Sequence, residues 1–129
     1  MVSIYLDQAL KNKRIIIKGP KDRYRDFVYI NDVIEILNKT RIRKEAINNT
    51  FNVGTGKKTK VYELIKIISN NLCLKRTSIK YIHSTPDDTF GIYSNKSKIK
   101  KFLRKEKFVN LKEGIKKTIN FEKSKRLSV

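Results

Sequence analysis

Cysteine, histidine, tryptophan and acidic side chains are all scarce in this sequence, and two of these scarcities exclude whole classes of protein. The 129 residues contain one cysteine, one histidine, no tryptophan and 12 acidic residues. A single cysteine, Cys73, excludes an internal disulfide framework and fits a reducing compartment, where a buried or inert thiol is the ordinary expectation. One cysteine and one histidine also fall short of the ligand set of a usual zinc site.

The few groups that could perform acid-base chemistry are poorly placed for it. His83 is the only histidine and lies beside Ser84 on a predicted strand, so a structural or surface role is favoured over a catalytic triad. Asp87 and Asp88 are adjacent and their side chains diverge, which disfavours a two-carboxylate device. We therefore predict no catalytic and no metal-binding residue in the chain.

Long apolar runs are missing as well. No segment approaches the roughly 20 apolar residues of a membrane span. The opening "MVSIYLDQAL" lacks the basic start of a signal peptide and carries Asp7. The sequence predicts a cytoplasmic protein of about one domain that makes no membrane contact.

Positive charge, in contrast, is abundant. The 31 lysines and arginines give a net charge of +19, which attracts polyanions and phosphorylated ligands. Because the lysines are spread along the whole chain among isoleucines and asparagines, compositional drift explains part of the excess equally well. A basic module that binds nucleic acid is the alternative function, although aromatic and basic residues do not interleave in a stacking pattern.

Hydrophobic spacing predicts alternating helices and strands, hence an α/β or α+β fold. Strands are predicted at "RIIIKGP", "RDFVYI", "FNV" and "SIKYIH". Residues 123–129 are predicted to be a frayed tail. Helices are predicted at 2–10, at 33–37 with Asn31 or Asp32 as cap, at 61–72 with Thr59 as cap, at 95–103 with Asn95 as cap and at 110–121 with Asn110 as cap.

The segment "FNVGTGKKT", residues 51–59, suggests a loop that cradles phosphate. As a Walker loop it fails, because Lys58 stands where serine or threonine should follow the lysine. As a dinucleotide fingerprint it lacks the third glycine, which is Thr59 here, and no acidic ribose clamp follows. A tight turn between a strand and a helix is therefore the preferred interpretation, since glycine tolerates positive φ.

The segment "YELIK" matches the Tyr-x-x-x-Lys pair of short-chain dehydrogenases through Tyr62 and Lys66. The buried stripe of the predicted helix runs through other positions, at residues 61, 64, 65 and 68. Tyr62 and Lys66 are therefore predicted to form an ordinary surface pair on the flank of the helix.

Arg25 opens an apolar segment, "RDFVYINDV", and two interpretations of it remain open. An arginine at the start of a strand can donate two parallel N–H bonds to phosphate oxygens. A local ion pair with Asp26 or Asp32 fits the composition equally well.

Five segments follow one another in a characteristic order and spacing: "RDFVYINDV", "FNVGTGKKTKVYELI", "STPDD", "SNKSKIKKFL" and "NLKEGIKKTINF". Together they resemble the C-terminal half of the NAD-dependent epimerase/dehydratase family, extended short-chain dehydrogenases that act on nucleotide sugars. The resemblance covers residues 1–122. It implies an α/β fold with small mixed strands and packed helices, the C-terminal portion of a Rossmann-like enzyme whose N-terminal dinucleotide-binding half is absent.

The resemblance also implies a function, resembling that of a UDP-glucose 4-epimerase. The chain would be a fragment that binds a nucleotide sugar without catalysing its reaction, because the NAD site and the catalytic Tyr-x-x-x-Lys helix of the family belong to the absent half. A separate polypeptide carrying that half is the candidate partner, with NAD as the implied cofactor.

By the same resemblance, site residues can be carried over one at a time. Arg25 matches the arginine that grips the substrate diphosphate, and Asp88 an aspartate near the ribose. Ile16 and Lys18 belong to the strand against the base, although an aromatic residue is common where Lys18 stands. Thr85 occupies a position where many members have a second arginine.

One further departure from the family concerns packing. A Gly-Trp pair often follows the short helix in these proteins, and this chain has Arg104 and Lys105 there. This difference predicts weaker packing beneath the final helix.

Overall fold

The computed structural model describes residues 1–75, 78–82, 89–105 and 107–127. Strands and helices alternate along them, which confirms the α/β class. The elements are helix α1 (Val2–Asn12), strands β1 (Ile15–Lys18) and β2 (Tyr24–Arg25), helix α2 (Ile30–Ile42), a 3-10 turn (Lys44–Ala46), strand β3 (Thr59–Lys60), helix α3 (Val61–Leu72), strand β4 (Ile79–Ile82), a π-helical turn (Ile99–Leu103) and helix α4 (Leu111–Leu127).

The strands form two short pairs. β1 lies parallel to β4, and β2 lies antiparallel to β3 with Arg25 opposite Thr59. Side chains alternate between the two faces of β1, so Ile15 and Ile17 are fully buried while Ile16 and Lys18 lie on the other, more exposed face. One face of β1 therefore belongs to the core, and the opposite face is available to a ligand.

The main core is built around α3, whose bounds are those predicted. Its stripe, Val61, Leu64, Ile65 and Ile68, is buried. This stripe packs with buried side chains of α1, β1 and α4 in one cluster. Burial of an aliphatic side chain contributes roughly 1.5 to 3 kcal/mol relative to exposure, so this cluster is the main source of stability. A smaller cluster joins α2 to the π-helical turn.

Two of the predicted helix caps are confirmed. The side-chain oxygen of Asn110 accepts a hydrogen bond from the Lys112 N–H at 2.9 Å, at the start of α4. The side-chain oxygen of Asn95 accepts one from the Ser97 N–H at 2.9 Å, where the short helical segment begins.

The other two predicted caps are wrong. α3 begins after Lys60, whose N–H donates to Glu63 Oε2 at 2.9 Å, so Thr59 is not the cap. α2 has Tyr29 as its N-cap without a side-chain bond, since Asp32 is buried and engaged elsewhere.

Two strand predictions are also wrong: one strand is shorter than predicted and the other is not formed. β2 ends at Arg25 because Asp26 turns aside to contact distant groups, so most of "RDFVYI" is not a strand. Residues 51–53 form no strand; Phe51 and Val53 instead pack against the cluster of α2 and the π-helical turn.

The C-terminal end of α4 and the exposure of Cys73 differ from expectation. α4 continues to Leu127 through most of the stretch predicted to be frayed, and Arg126 Nη2 lies 2.7 Å from Asp7 Oδ1 of α1. Cys73 follows α3 with φ of 52° and is exposed, so of the two expectations for this thiol the buried one is wrong, while an inert thiol stays a prediction. Within the described ranges, no helix combines the length and the apolar character needed to cross a bilayer.

Candidate functional site

Three of the residues singled out from the sequence line the same cavity. It has a volume of about 420 Å³ and lies between α1, β1 and β2. The other two predicted site residues, Thr85 and Asp88, lie outside the described residues. We call this the arginine cavity, and its lining is Met1, Ile4, Tyr5, Gln8, Ile16, Lys18, Arg23 and Arg25.

The backbone holds the guanidinium of Arg25 in place. Its Nη1 donates to the Tyr24 carbonyl at 2.8 Å and to the Phe90 carbonyl at 3.3 Å. The Tyr24 N–H also donates to the Phe90 carbonyl, at 3.1 Å. A guanidinium carries five N–H donors in a rigid fork, so anchoring one nitrogen restricts the direction of the others.

Arg23 is a second arginine of the cavity, and the sequence argument missed it. It is only 8% exposed, and its Nη2 donates to the Tyr5 hydroxyl of α1 at 3.2 Å. Residues two apart in an extended segment share a face, so the spacing of Arg23 and Arg25 was a usable signal. Tyr5 and Gln8 reach the cavity only because of how α1 packs, and no local sequence pattern indicates this.

The arginine cavity is strongly basic. Lys18, Arg23 and Arg25 bring three positive charges, and none of the described residues that line it is acidic. Gln8 fixes one wall, because its Oε1 accepts a hydrogen bond from the Ile16 N–H at 2.8 Å. Such an arrangement is suited to an anion with several oxygen acceptors.

Asp26, the neighbour of Arg25, receives hydrogen bonds from Ser94 and from residues 54–57, which we call the glycine turn. Its Oδ2 accepts from the Gly56 N–H at 2.8 Å, the Ser94 N–H at 3.1 Å and the Ser94 hydroxyl at 2.8 Å. Its Oδ1 accepts from the N–H of Thr55 at 3.0 Å and from the Thr55 hydroxyl. Burial would raise the pKa of Asp26, but these hydrogen bonds outweigh it and the pKa is lowered.

The N–H groups of the glycine turn therefore already bind an anionic group of the protein itself, the carboxylate of Asp26. Gly54 permits the close approach, because a Cβ there would lie 2.1 Å from Ser94 Oγ and 2.6 Å from Asp26 Oδ2. Since the N–H groups of Thr55 and Gly56 point at Asp26, the turn does not fit the pyrophosphate of a dinucleotide such as NAD. The interpretation of this segment as a tight turn agrees with this geometry.

Asp32, the other acidic residue considered for Arg25, pairs with Lys105 instead. Lys105 Nζ lies 2.8 Å from Asp32 Oδ1 and 2.6 Å from Glu35 Oε2, and Asp32 Oδ2 accepts from the Val109 N–H at 2.9 Å. Burial would lower the pKa of Lys105, but the two carboxylates outweigh it and the pKa is raised. Lys105 is thus buried in an ion cluster at the position where the family often has a Gly-Trp pair. Whether the packing beneath α4 is weaker for this reason stays a prediction.

Tyr62 and Lys66 are both exposed on α3, as predicted for a surface pair. The buried stripe of the helix lies at other positions, and Lys60 Nζ is 5.7 Å from the Tyr62 ring centroid.

Comparison with known proteins gives clear relatives, although no family model matches the chain. It is 35% identical over 124 residues to a putative UDP-glucose 4-epimerase of Methanocaldococcus jannaschii, covering 96% of this chain and 39% of that protein. It is 29% identical over 115 residues to UDP-glucuronic acid decarboxylase 6 of Arabidopsis thaliana, covering 89% of this chain and 33% of that protein.

The fold is similar to that of a solved enzyme. A UDP-glucose 4-epimerase of Thermotoga maritima, crystallised with UDP-glucose, superposes with a TM-score of 0.87 at 26% identity over 97% of this chain. The match covers 40% of that enzyme. The chain thus spans about two fifths or less of the length of these relatives.

Proposed function

Because this chain belongs to the NAD-dependent epimerase/dehydratase family, we propose that its arginine cavity binds the diphosphate of a nucleotide sugar. The predicted fold, a part of the extended short-chain dehydrogenase fold, is confirmed by the similarity to the T. maritima enzyme. The relatives act on nucleotide sugars according to their names, whereas the role of each residue in this chain is our inference.

The observation that carries this proposal is the convergence of Lys18, Arg23 and Arg25 on one cavity. A nucleotide diphosphate presents at least two negative charges and several oxygen acceptors. Hydrogen bonds between ionised partners are about twice as strong as neutral ones. Three cations in the lining of one cavity therefore favour a diphosphate over a neutral sugar as the group bound here.

Each cation has a separate role in this proposal. Arg25, anchored at Nη1, directs its fork to the diphosphate. Arg23, held by Tyr5, supplies a second guanidinium from the wall of the cavity. Lys18 is exposed at the rim and acts as a point charge, while Ile16 offers an apolar contact to the base. Thr85 and Asp88 remain predicted contacts outside the described residues.

We further propose that residues 1–129 bind substrate without converting it. The glycine turn does not fit NAD, and the Tyr62–Lys66 pair lies on an exposed helix face. Solved relatives are described as NAD-dependent or contain NAD, so the reaction would require an NAD-binding part, on this polypeptide or on another. Turnover of UDP-glucose by residues 1–129 that disappears in Tyr62→Phe would contradict this proposal.

The alternative of a nucleic-acid-binding module gains no support from the relatives, which are epimerases, decarboxylases and dehydratases. The net charge of +19 is its only basis. The same charge is equally suited to a phosphorylated substrate.

The test is a titration of UDP-glucose into the wild type and Arg25→Lys at two salt concentrations. Lysine keeps the charge and loses the fork, so binding should weaken by about 1.5 to 3 kcal/mol, the contribution of a hydrogen bond to a charged group. Arg41→Lys, on the exposed surface of α2, is the matched control and should bind like the wild type.

Two results would contradict the proposal. The first is the absence of saturable binding to the wild type at millimolar ligand. The second is equal affinity of the wild type and Arg25→Lys, with both lost together at high salt, because only a diffuse electrostatic surface behaves in this way.

A further inference from the structure

We propose that a second cavity, lined by three lysines, binds a small anion with at least two phosphoryl groups. It has a volume of about 380 Å³ and lies between the glycine turn and the start of α4. We call it the lysine cavity, after Lys57, Lys96 and Lys107. It shares no lining residue with the arginine cavity, so it is a separate site.

The three lysines come from distant parts of the chain. Lys57 belongs to the glycine turn, Lys96 precedes the π-helical turn and Lys107 precedes α4. None of the described residues that line the cavity is acidic. The positive charges of three lysines around one concavity repel one another, and a bound anion would relieve this repulsion.

Among the described residues, no carboxylate forms an ion pair with Lys57, Lys96 or Lys107. The lysines that do form ion pairs among the described residues are different ones: Lys11, Lys39, Lys60, Lys105 and Lys117. Two carboxylates accept hydrogen bonds from residues that line the cavity. Asp26 keeps its negative charge, but its oxygens are engaged by Thr55, Gly56 and Ser94, and Asp32 pairs with Lys105 and accepts from the Val109 N–H.

Lys96 is held in position and is not a free surface side chain. It is partly buried, and its stem packs over the bare Cα of Gly56, where an added Cβ would lie 3.4 Å from Lys96 Cδ. Gly56 has φ of +73°, which a residue with a side chain rarely adopts. Lys96 Nζ lies 6.0 Å from the Phe108 ring centroid. This support reduces the conformational entropy that binding would cost.

The size and the remaining lining narrow the ligand class. The volume is near the lower end of small-molecule pockets, which excludes a large ligand. Thr59 and Asn110 add polar groups, and the N-terminus of the 17-residue helix α4 adds a partial positive charge. Three cations match the charge of a diphosphate better than that of a single phosphate.

The test uses the 129-residue chain and inorganic pyrophosphate as the probe, at about 0.15 M salt, where long-range attraction is screened. We expect one saturable site in this cavity, with Lys96→Gln and Lys107→Gln each weakening it about fivefold, in line with a partly exposed charge contact. Lys116→Gln is the matched control, because it removes the same charge from an exposed face of α4 outside the cavity. It should change affinity less than about twofold. Inorganic phosphate should bind more weakly than pyrophosphate.

The location of binding is checked independently by amide chemical shifts. Pyrophosphate should shift the signals of Thr55, Lys57 and Asn110, and Arg25→Gln should leave those shifts unchanged. Thermal unfolding of each variant shows whether it is folded, and Lys96→Arg, which keeps the charge, should retain the site.

Each opposite result would overturn the proposal. Equal weakening in Lys96→Gln, Lys107→Gln and Lys116→Gln would show a general response to net charge. Loss of the shifts in Arg25→Gln would place the anion in the arginine cavity. Absence of saturable binding, or equal affinity for phosphate and pyrophosphate, would exclude a site for two phosphoryl groups.

Discussion

The carboxylate of Asp26 accepts two hydrogen bonds from Ser94, one from the N–H at 3.1 Å and one from the hydroxyl at 2.8 Å. The two residues are 68 positions apart. The N–H of Gly56 binds the same oxygen, so Asp26 joins β2, the glycine turn and the segment before the π-helical turn. Asp26 is thus a structural anchor directly beside Arg25.

We expect Asp26→Asn to destabilise the protein. Asparagine offers one carbonyl oxygen and one NH2 group, so some of the donors that now bind Asp26 would face a donor. Leaving partly buried donors unsatisfied costs about 1 to 3 kcal/mol, which urea denaturation would measure as a lower midpoint with an unchanged slope.

The matched control is Asp22→Asn, whose carboxylate is 51% exposed and lies 3.8 Å from Lys60 Nζ. This exposed pair should change the free energy of unfolding by less than about 1 kcal/mol. If both variants lost the same stability, the hydrogen bonds of Asp26 would have no special role.

The contribution of Asp26 to the free energy of unfolding should be lost at acidic pH. The folded pKa of Asp26 is lowered below the ordinary value of 3.8, so its contribution is complete above that value and is lost as the pH falls through the folded pKa. Asp7 and Glu35 also have lowered pKa values, so the informative quantity is the difference between the wild type and Asp26→Asn.

This difference in free energy of unfolding should be constant from pH 7 to about 5 and shrink below about 4. Denaturant titrations at several pH values measure it. A difference that grows as the pH falls would have the wrong sign and would contradict the assignment.

The sequence predicted the parts of this fold that depend on local spacing. The stripe of α3 requires only that Val61, Leu64, Ile65 and Ile68 recur on one helical face, and all four are buried. The cap by Asn110 is equally local. The end of β2 was not predictable, because Asp26 contacts Thr55 and Ser94, which are 29 and 68 residues away.

The residues of the candidate site also divide into those that a local sequence pattern indicates and those that only tertiary packing brings together. Arg25 was found from its residue type and position, and Arg23 could have been found from the two-residue period. The approach of Tyr5 to Arg23 depends on the packing of α1 against β1, which no local pattern encodes. The buried pair of Asp32 and Lys105, 2.8 Å apart, was missed because a charged side chain in the sequence is normally expected at the surface.

Gly54→Ala should destabilise the protein more than Ser94→Ala. The new Cβ would lie 2.1 Å from Ser94 Oγ and 2.6 Å from Asp26 Oδ2, so the turn and the segment that carries Ser94 would have to separate. Ser94→Ala removes only the hydroxyl and keeps the N–H bond to Asp26, which should cost about 1 kcal/mol. Urea denaturation of both variants decides this, and an equal or smaller loss in Gly54→Ala would show that the turn moves freely.

Lys105→Met should be among the most destabilising single changes in the chain. The side chains of Lys105 and Asp32 are 9% and 4% exposed, so removal of the ammonium leaves a buried carboxylate with the Val109 N–H as its described hydrogen-bond partner. Breaking a buried ion pair from one side costs about 3 to 5 kcal/mol, whereas replacing both partners by apolar groups is often neutral. We therefore expect the double variant Lys105→Met with Asp32→Leu to recover part of the loss.

Lys101→Met is the control for this pair, since it removes an exposed lysine from the π-helical turn that precedes Lys105 and should have an effect of about 0.5 kcal/mol or less. Chemical denaturation of the two single variants and the double variant forms a cycle in which the coupling between Lys105 and Asp32 is measured directly. Additive losses in the double variant would mean that the two groups, although 2.8 Å apart, do not depend on each other for stability.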